Sequence, residues 1–336
     1  MTITPPAAGA APPAVSGDLP LPALDDVQAA AGRLRGVVRR TPLLRSDALS
    51  DLAGTDVWLK LETLQRTGSF KVRGAYNFVA ALTPAERARG LATASAGNHG
   101  AAVAFAARLL GAKATVFVPD DTPETKRRRI LRSGAELRLI RGSYDDAHPA
   151  AEAFAAETGA RFVNAFSDPF VVAGAGTVGV ELFDECPSIR TVLAPVGGGG
   201  LSGGIGLVAR ARDRVRMVGV QSEETAAMHA SLAAGRLTSA AYGPTICEGL
   251  TGDTDERAFR LARQVLDEIV LVSEASVRRA VRWLAAEEGI VAEGSAAVAV
   301  AALLEGAAGE IEGPVAAVLS GSNIDPQRLA AILAEG

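Results

Sequence analysis

The sequence has little of what disulfide frameworks, metal clusters and aromatic cores are built from. It holds two cysteines, Cys186 and Cys247, far apart and in no CxxC pattern, and three histidines. Neither a zinc site nor a disulfide framework is expected, and a reducing cytoplasm fits. Aromatics make up 4% of the residues, so small and aliphatic side chains must fill the core. There is no basic excess: Lys+Arg 34 against Asp+Glu 38 gives a formal charge of -4. That balance lacks the footprint needed to bind a phosphate backbone, and nucleic acid is not an expected partner. The one basic run, Lys126, Arg127, Arg128, Arg129 and Arg132, falls where a helix is expected and reads as its solvated face. Residues 1–20 show no basic segment followed by an apolar one, and no later run reaches spanning length without a charge or a glycine. A secreted or membrane-embedded protein is not expected.

What is present is an alternation. After a tail with six prolines in its first 22 residues, too poor in apolar bulk to pack and expected to be disordered over 1–20, helical and strand patterns follow one another with short turns. Thr83-Pro84-Ala85-Glu86 offers an N-cap, a first-turn proline and a capping-box acid, and Gly90 can close that helix. Strands are expected at Leu91 to Ser95, Ala114 to Val118, Glu136 to Ile140, Thr191 to Pro195, Met217 to Gln221, Ile269 to Val272 and Val315 to Leu319. Helices are expected between the first three of them, at Asn98 to Leu110 and Pro123 to Arg132, and then at Tyr144 to Glu157. Short apolar strands alternating with helices imply crossover connections and a parallel sheet covered on both faces, an α/β fold. Ligands of such sheets sit beyond the carboxyl ends of the strands. That rule selects Ser95-Ala96-Gly97-Asn98-His99, the run Gly197 to Gly200, and Ser320-Gly321-Ser322-Asn323.

Gly197-Gly198-Gly199-Gly200 stands between an expected strand and an expected helix. Backbone N–H groups there can turn inward without obstruction, at a helix N-terminus that favours an anion. A phosphate suits it, but no Lys follows as in GxxxxGK[ST], which disfavours a nucleoside triphosphate. Lys71, in Thr67-Gly68-Ser69-Phe70-Lys71-Val72-Arg73-Gly74-Ala75, has small and apolar neighbours. Desolvation makes such an amine nucleophilic toward aldehydes, although a lone lysine is more often a surface charge. An aldehyde-reactive lysine, a phosphate cradle and a strand-end Ser-Ala-Gly-Asn-His turn together describe the binding of pyridoxal phosphate.

On these residues the chain resembles the fold-type II pyridoxal-phosphate enzymes, specifically the serine/threonine dehydratases, with serine racemase as a relative. The resemblance runs from about Thr41 to Leu333. It rests on Leu64-Gln65-Arg66-Thr67-Gly68-Ser69-Phe70-Lys71, Ser95 to His99, Pro195-Val196-Gly197-Gly198-Gly199-Gly200-Leu201 and Leu319-Ser320-Gly321-Ser322-Asn323. It implies two open, mostly parallel sheets with helices on both faces. The larger, cofactor-binding domain would comprise 21–88 and 168–336, and the smaller, substrate-side domain 89–167.

The resemblance also implies roles. Lys71 would form the Schiff base with the cofactor and act as the base at the substrate Cα, with Phe70 and Glu293 near the ring. Asn98 would bond the phenolic oxygen, Gly197, Gly198, Gly199, Gly200 and Leu201 the phosphate, and Ser320 the pyridine nitrogen. Ser95, Ala96, Gly97, Asn98 and His99 would cradle the substrate carboxylate, with Phe166 on the substrate side. A neutral Ser320 hydroxyl makes the ring a weaker electron sink than an Asp partner would, so elimination to a 2-oxo acid and ammonia should outrun reprotonation. Related proteins form dimers or tetramers, so a homodimer or homotetramer is expected.

Departures narrow the choice. Racemases of this type carry a second serine where this chain has Ala96, so the base for the opposite face is missing. Phe166 stands where threonine dehydratases have an aromatic residue. Gln221 and Ala227 replace carboxylates of a cation site in metal-activated relatives, so no metal is expected, and Glu223 and Glu224 read as exposed acids. Gly174-Ala175-Gly176-Thr177 lacks a glutamine usual in the family. Glu248 and Glu293 have helix capping as their plainer reading, and Cys247 reads as a buried structural thiol. His99 reads as a pocket hydrogen bonder, His148 and His229 as surface residues. Nothing after Leu333 resembles the regulatory domain of biosynthetic threonine dehydratases, so feedback control by isoleucine is not expected. The competing readings are a racemase or β-replacement lyase, and a non-catalytic binding protein of the same fold.

Overall fold

In the computed structural model, residues 20–252 and 254–335 are described. The tail expected over 1–20 lies outside them except for Pro20. The strands are β1 (Leu43–Ser46), β2 (Val57–Leu61), β3 (Leu91–Ala94), β4 (Ala114–Pro119), β5 (Glu136–Ile140), β6 (Arg161–Phe162), β7 (Thr191–Pro195), β8 (Arg216–Ser222), β9 (Glu268–Val272) and β10 (Val315–Leu319). They form two sheets, one of six strands in the order β1-β2-β10-β7-β8-β9 and one of four in the order β5-β4-β3-β6. Every pairing is parallel except that of the edge strand β1 with β2.

The seven expected strands are present to within a residue at each end. Two elements of the larger sheet, β1 and β2, were not legible. β2 carries Lys60 in its middle, which breaks the apolar run, yet Lys60 is fully buried because its ammonium donates to the Thr41 carbonyl at 2.7 Å and pairs with Glu181 at 2.8 Å. β6 is two residues long, too short for a periodic signal. The capping box is as expected: Thr83 accepts from the Glu86 N–H, and the Glu86 carboxylate from the Thr83 N–H at 2.9 Å.

Packing divides the chain into one unit up to Val38 with Lys71–Gly174, and a second of Arg39–Phe70 with Ala175–Gly336. This differs from the expected boundaries because the helix Lys71–Ala81 is buried from Val72 to Ala81 and packs on the helices Leu24–Leu34 and Asn98–Leu109. It therefore belongs with the four-stranded sheet. In the other unit, the helix Gly294–Glu305 is buried from Gly294 to Leu303 and lies on β7, β8, β9 and β10. Alanines supply much of that core, and their small size lets helix and sheet approach closely.

Candidate active site

In the unit of the four-stranded sheet, β3 leads through Ser95, Ala96 and Gly97 into the helix Asn98–Leu109. Close approach is required here: a Cβ on Gly100 would stand 2.3 Å from the Ser95 carbonyl oxygen. The Ser95 hydroxyl accepts from the Gly97 N–H at 3.2 Å, tying the turn to itself. One residue into the helix, His99 is buried, with Nε2 3.0 Å from the Val163 carbonyl oxygen. A carbonyl only accepts, so Nε2 carries the hydrogen and Nδ1 a lone pair. That buried Nδ1 has no partner among the described residues. Burial first, and then the charge of Lys71, push the His99 pKa down to about 3 against the small opposing effect of the Val163 bond. His99 is thus neutral at physiological pH.

Lys71 opens the helix Lys71–Ala81 and donates from Nζ to the Ala165 carbonyl at 2.9 Å. Its helix is seated by a glycine crossing. A Cβ on Gly74 would lie 2.6 Å from the Val171 carbonyl oxygen, and one on Gly174 would lie 2.5 Å from that of Arg73. Beyond β6, Asn164 Oδ1 accepts from the N–H groups of Phe166 (2.9 Å) and Ser167 (2.8 Å), and Asp168 Oδ1 from Phe170 (2.8 Å) at the head of the next helix. This unit therefore brings Lys71, His99 and the residues flanking Phe166 onto one short segment, Val163 to Ser167. Asn98 is the first residue of its helix and half-buried.

In the unit of the six-stranded sheet, β7 runs into the glycines, and the helix Gly200–Arg210 starts with Gly199 as its N-cap at φ +93°. A Cβ on Gly199 would stand 3.0 Å from Met228 Cε, and one on Gly197 3.1 Å from both the Gly249 carbonyl oxygen and Leu250 Cα. At Gly197 and Gly199 a Cβ would be tightly placed, and the four glycines put no side chain over the backbone at this helix N-terminus. At the end of β10, the buried Ser320 accepts through its carbonyl from the Phe70 N–H at 3.0 Å, and Gly321 bridges to Ser69. Thr67 takes φ +66°, unusual for a β-branched residue, and Asn323 holds it by donating to the Thr67 carbonyl at 2.8 Å. Glu293 stands at the N-cap of its helix without a side-chain capping bond. Its Oε1 lies 2.8 Å from where a Cβ on Gly321 would be.

Taken unit by unit, the residues present are compatible with pyridoxal phosphate. The side-chain-free helix entry suits its phosphate. Two buried polar atoms, Ser69 Oγ and His99 Nδ1, have no described partner and could each bond a polar atom of a bound group.

Other candidates divide. Leu201 is the second residue of the helix Gly200–Arg210 and is buried, and Phe70 precedes Lys71 in the chain. Capping is not the role of the Glu293 side chain, while Glu248 opens a short 3₁₀ turn and pairs with Arg328. Cys247 is buried, and burial raises its thiol pKa, with Glu274 adding to the effect. Two histidines depart from the surface reading. His148 is half-buried with its ring edge-on to Phe162 at 5.1 Å, and His229 places Nδ1 3.0 Å from the Ile269 carbonyl. Gln221 is occupied structurally, donating to the Thr225 carbonyl at 2.6 Å and accepting from the His229 N–H at 2.8 Å. Among the described residues no cluster of His, Cys, Asp and Glu could hold a metal ion, and no helix is long and apolar enough to cross a membrane.

Sequence reasoning missed the partners of Lys71 and His99, because they are backbone carbonyls at Ala165 and Val163 and carry no residue signature. Asn164 was also missed. Its signal is Asn-Ala-Phe-Ser-Asp-Pro, two successive side chains that can close turns ahead of a helix.

The profile of the family described as "Pyridoxal-phosphate dependent enzyme" matches residues 34–321. The L-threonine ammonia-lyase of Thermotoga maritima is 40% identical over 316 residues, covering 93% of this chain and 78% of that protein. Among solved structures, the threonine deaminase of T.th. superposes with a TM-score of 0.85 at 38% identity, covering 90% of this chain and 99% of that one. Maize serine racemase superposes with a TM-score of 0.89 at 28% identity, covering 93% and 97%.

Proposed function

Because the chain belongs to the pyridoxal-phosphate dependent enzymes, we propose that it is a lyase that dehydrates and deaminates a β-hydroxy amino acid, L-threonine or L-serine, to a 2-oxo acid and ammonia. One observation carries the choice of elimination. In the unit that holds Lys71, Ala96 has no ionisable group and His99 is held neutral with a pKa of about 3. Neither Ala96 nor a neutral His99 can supply the base for the opposite face, which leaves Lys71 as the proton carrier proposed for Cα. The similarity to L-threonine ammonia-lyase supports the substrate class.

When bound, the cofactor supplies an aldehyde that takes up an amine and a conjugated ring that accepts the electrons released at Cα. The Lys71 amine would hold that aldehyde and, when not so engaged, would serve as the base for the Cα proton. The N–H groups of Gly197 to Leu201 would bind the phosphate, where the helix N-terminus favours negative charge. Ser320 would offer the ring nitrogen a neutral hydroxyl, and Glu293 and Phe70 would stand near the ring. Asn98 would donate to the phenolic oxygen, the Ser95 to His99 turn would receive the substrate carboxylate, and Phe166 would bound the substrate side. A homodimer or homotetramer acting in the cytoplasm is the assembly the family resemblance suggests, and light scattering measures it.

The test is to incubate the cofactor-loaded protein with L-threonine, L-serine and bulkier β-hydroxy amino acids while scoring ammonia. Release from at least one, abolished in Lys71→Ala, is expected. Loss of optical rotation without ammonia would select the racemase reading, which the likeness to maize serine racemase keeps in view.

A further inference from the structure

We infer that Asn164 is the positioning residue that holds a berth for the Lys71 ammonium, the Ala165 carbonyl. This rests on the reading of Lys71 as the cofactor lysine and adds a residue to it.

The argument starts from the peptide plane. The Ala165 C=O and the Phe166 N–H belong to one planar trans unit, so they point in opposite directions. Asn164 Oδ1 accepts from that N–H at 2.9 Å, and Lys71 Nζ donates to that C=O at 2.9 Å. A second bond, from the Ser167 N–H of the next peptide to the same Oδ1 at 2.8 Å, closes the turn on its downstream side. One side chain therefore grips one end of a peptide whose other end grips the lysine. The surroundings keep this plane from drifting. Upstream, the Val163 N–H bonds the Ala92 carbonyl at 2.9 Å, and the Val163 carbonyl accepts from Thr93 Oγ1 (2.9 Å) and sits 3.0 Å from His99 Nε2. Downstream, Asp168 caps the helix that crosses the Lys71 helix at Gly74 and Gly174.

The consequence concerns a lysine that must leave the cofactor and come back in each turnover. A berth at a fixed carbonyl confines the free ammonium to one place, so that once it gives up a proton the amine starts its return from a fixed position. Without Asn164 the peptide can rotate and the berth is lost, while the rest of the fold keeps its caps.

The experiment follows capture of pyridoxal phosphate by apoprotein, read as the growth of the visible band that depends on Lys71, in wild type, Asn164→Ala, Asn164→Asp and Ser143→Ala. Asp keeps the acceptor. Ser143→Ala removes a cap from the helix Tyr144–Thr158 and matches the loss of stability without touching the berth. Capture slowed about tenfold in Asn164→Ala, the scale of a lost hydrogen bond to a charged group, restored by Asp and unchanged in Ser143→Ala, is the expected result. Wild-type capture by Asn164→Ala, no rescue by Asp, or equal slowing in Ser143→Ala would overturn it. Should Asn164→Ala fail to fold, Asn164→Ser must fall between wild type and the tenfold loss, and a wild-type rate there overturns the inference. If wild type itself forms no Lys71-dependent band, the cofactor-lysine reading fails, which is a distinct result.

Discussion

At the scale of single residues, burial decides what His99 can do. Its pKa of about 3 in the fold lies below the ordinary 6.5, with burial the largest cause. The unfolded chain therefore binds a proton that the folded chain refuses between those values. Stability from the neutral ring is fully present above pH 6.5 and is lost as the pH falls toward 3. Denaturant titrations of wild type and His99→Asn should differ in slope over that window by about 1.4 kcal/mol per pH unit. Parallel curves would remove the neutral histidine from the account. The buried Lys60–Glu181 pair sets a second residue-scale expectation. Lys60→Met alone should destabilise by about 1.5–3 kcal/mol, the scale of a lost hydrogen bond to a charged group, and adding Glu181→Leu should recover part of that loss. Chemical denaturation of the three variants checks it.

At the scale of elements, the glycine turn is a helix entry that is closed to side chains by what lies behind it. Gly199 needs its positive φ, and its missing Cβ would meet Met228 Cε at 3.0 Å. Gly197 is backed by the turn at Gly249 and Leu250, which Ser295 Oγ steadies by accepting from the Gly249 N–H at 2.8 Å. Gly199→Ala should cost about 1–3 kcal/mol of strain and weaken cofactor binding by about tenfold or more. Fluorescence titration with pyridoxal phosphate measures the second effect, and unaltered affinity would mean that this turn is not the phosphate cradle. Gly111→Ala, at a helix end with open space around it, is the comparison: strained by a φ of +69° yet expected to bind the cofactor normally.

At the scale of the whole molecule, each mostly parallel sheet has strands that run directly into candidate turns: β3 into Ser95 to His99 in one unit, and β7 into Gly197 to Gly200 and β10 into Ser320 in the other. Strand-to-turn-to-helix order is written locally, in apolar runs, glycines and caps, so those turns and seven strands could be read from residues alone. β2 could not, because its lysine is compensated by a glutamate 121 positions away. The boundary between units could not either, since it follows from which neighbours the uniformly apolar helix after Lys71 packs upon. The carbonyls that hold Lys71 and His99 were invisible for a third reason: a backbone oxygen has the same letter code everywhere.

The central claim is one-sided proton chemistry at Lys71 ending in elimination. It is tested most directly by chiral chromatography of the cofactor-loaded protein's reaction with L-threonine, with ammonia scored in the same sample. Ammonia and the 2-oxo acid should accumulate while the unreacted substrate stays L-threonine. Accumulation of D-allothreonine ahead of ammonia would contradict the account, because it would require a second base on the face where this chain has Ala96.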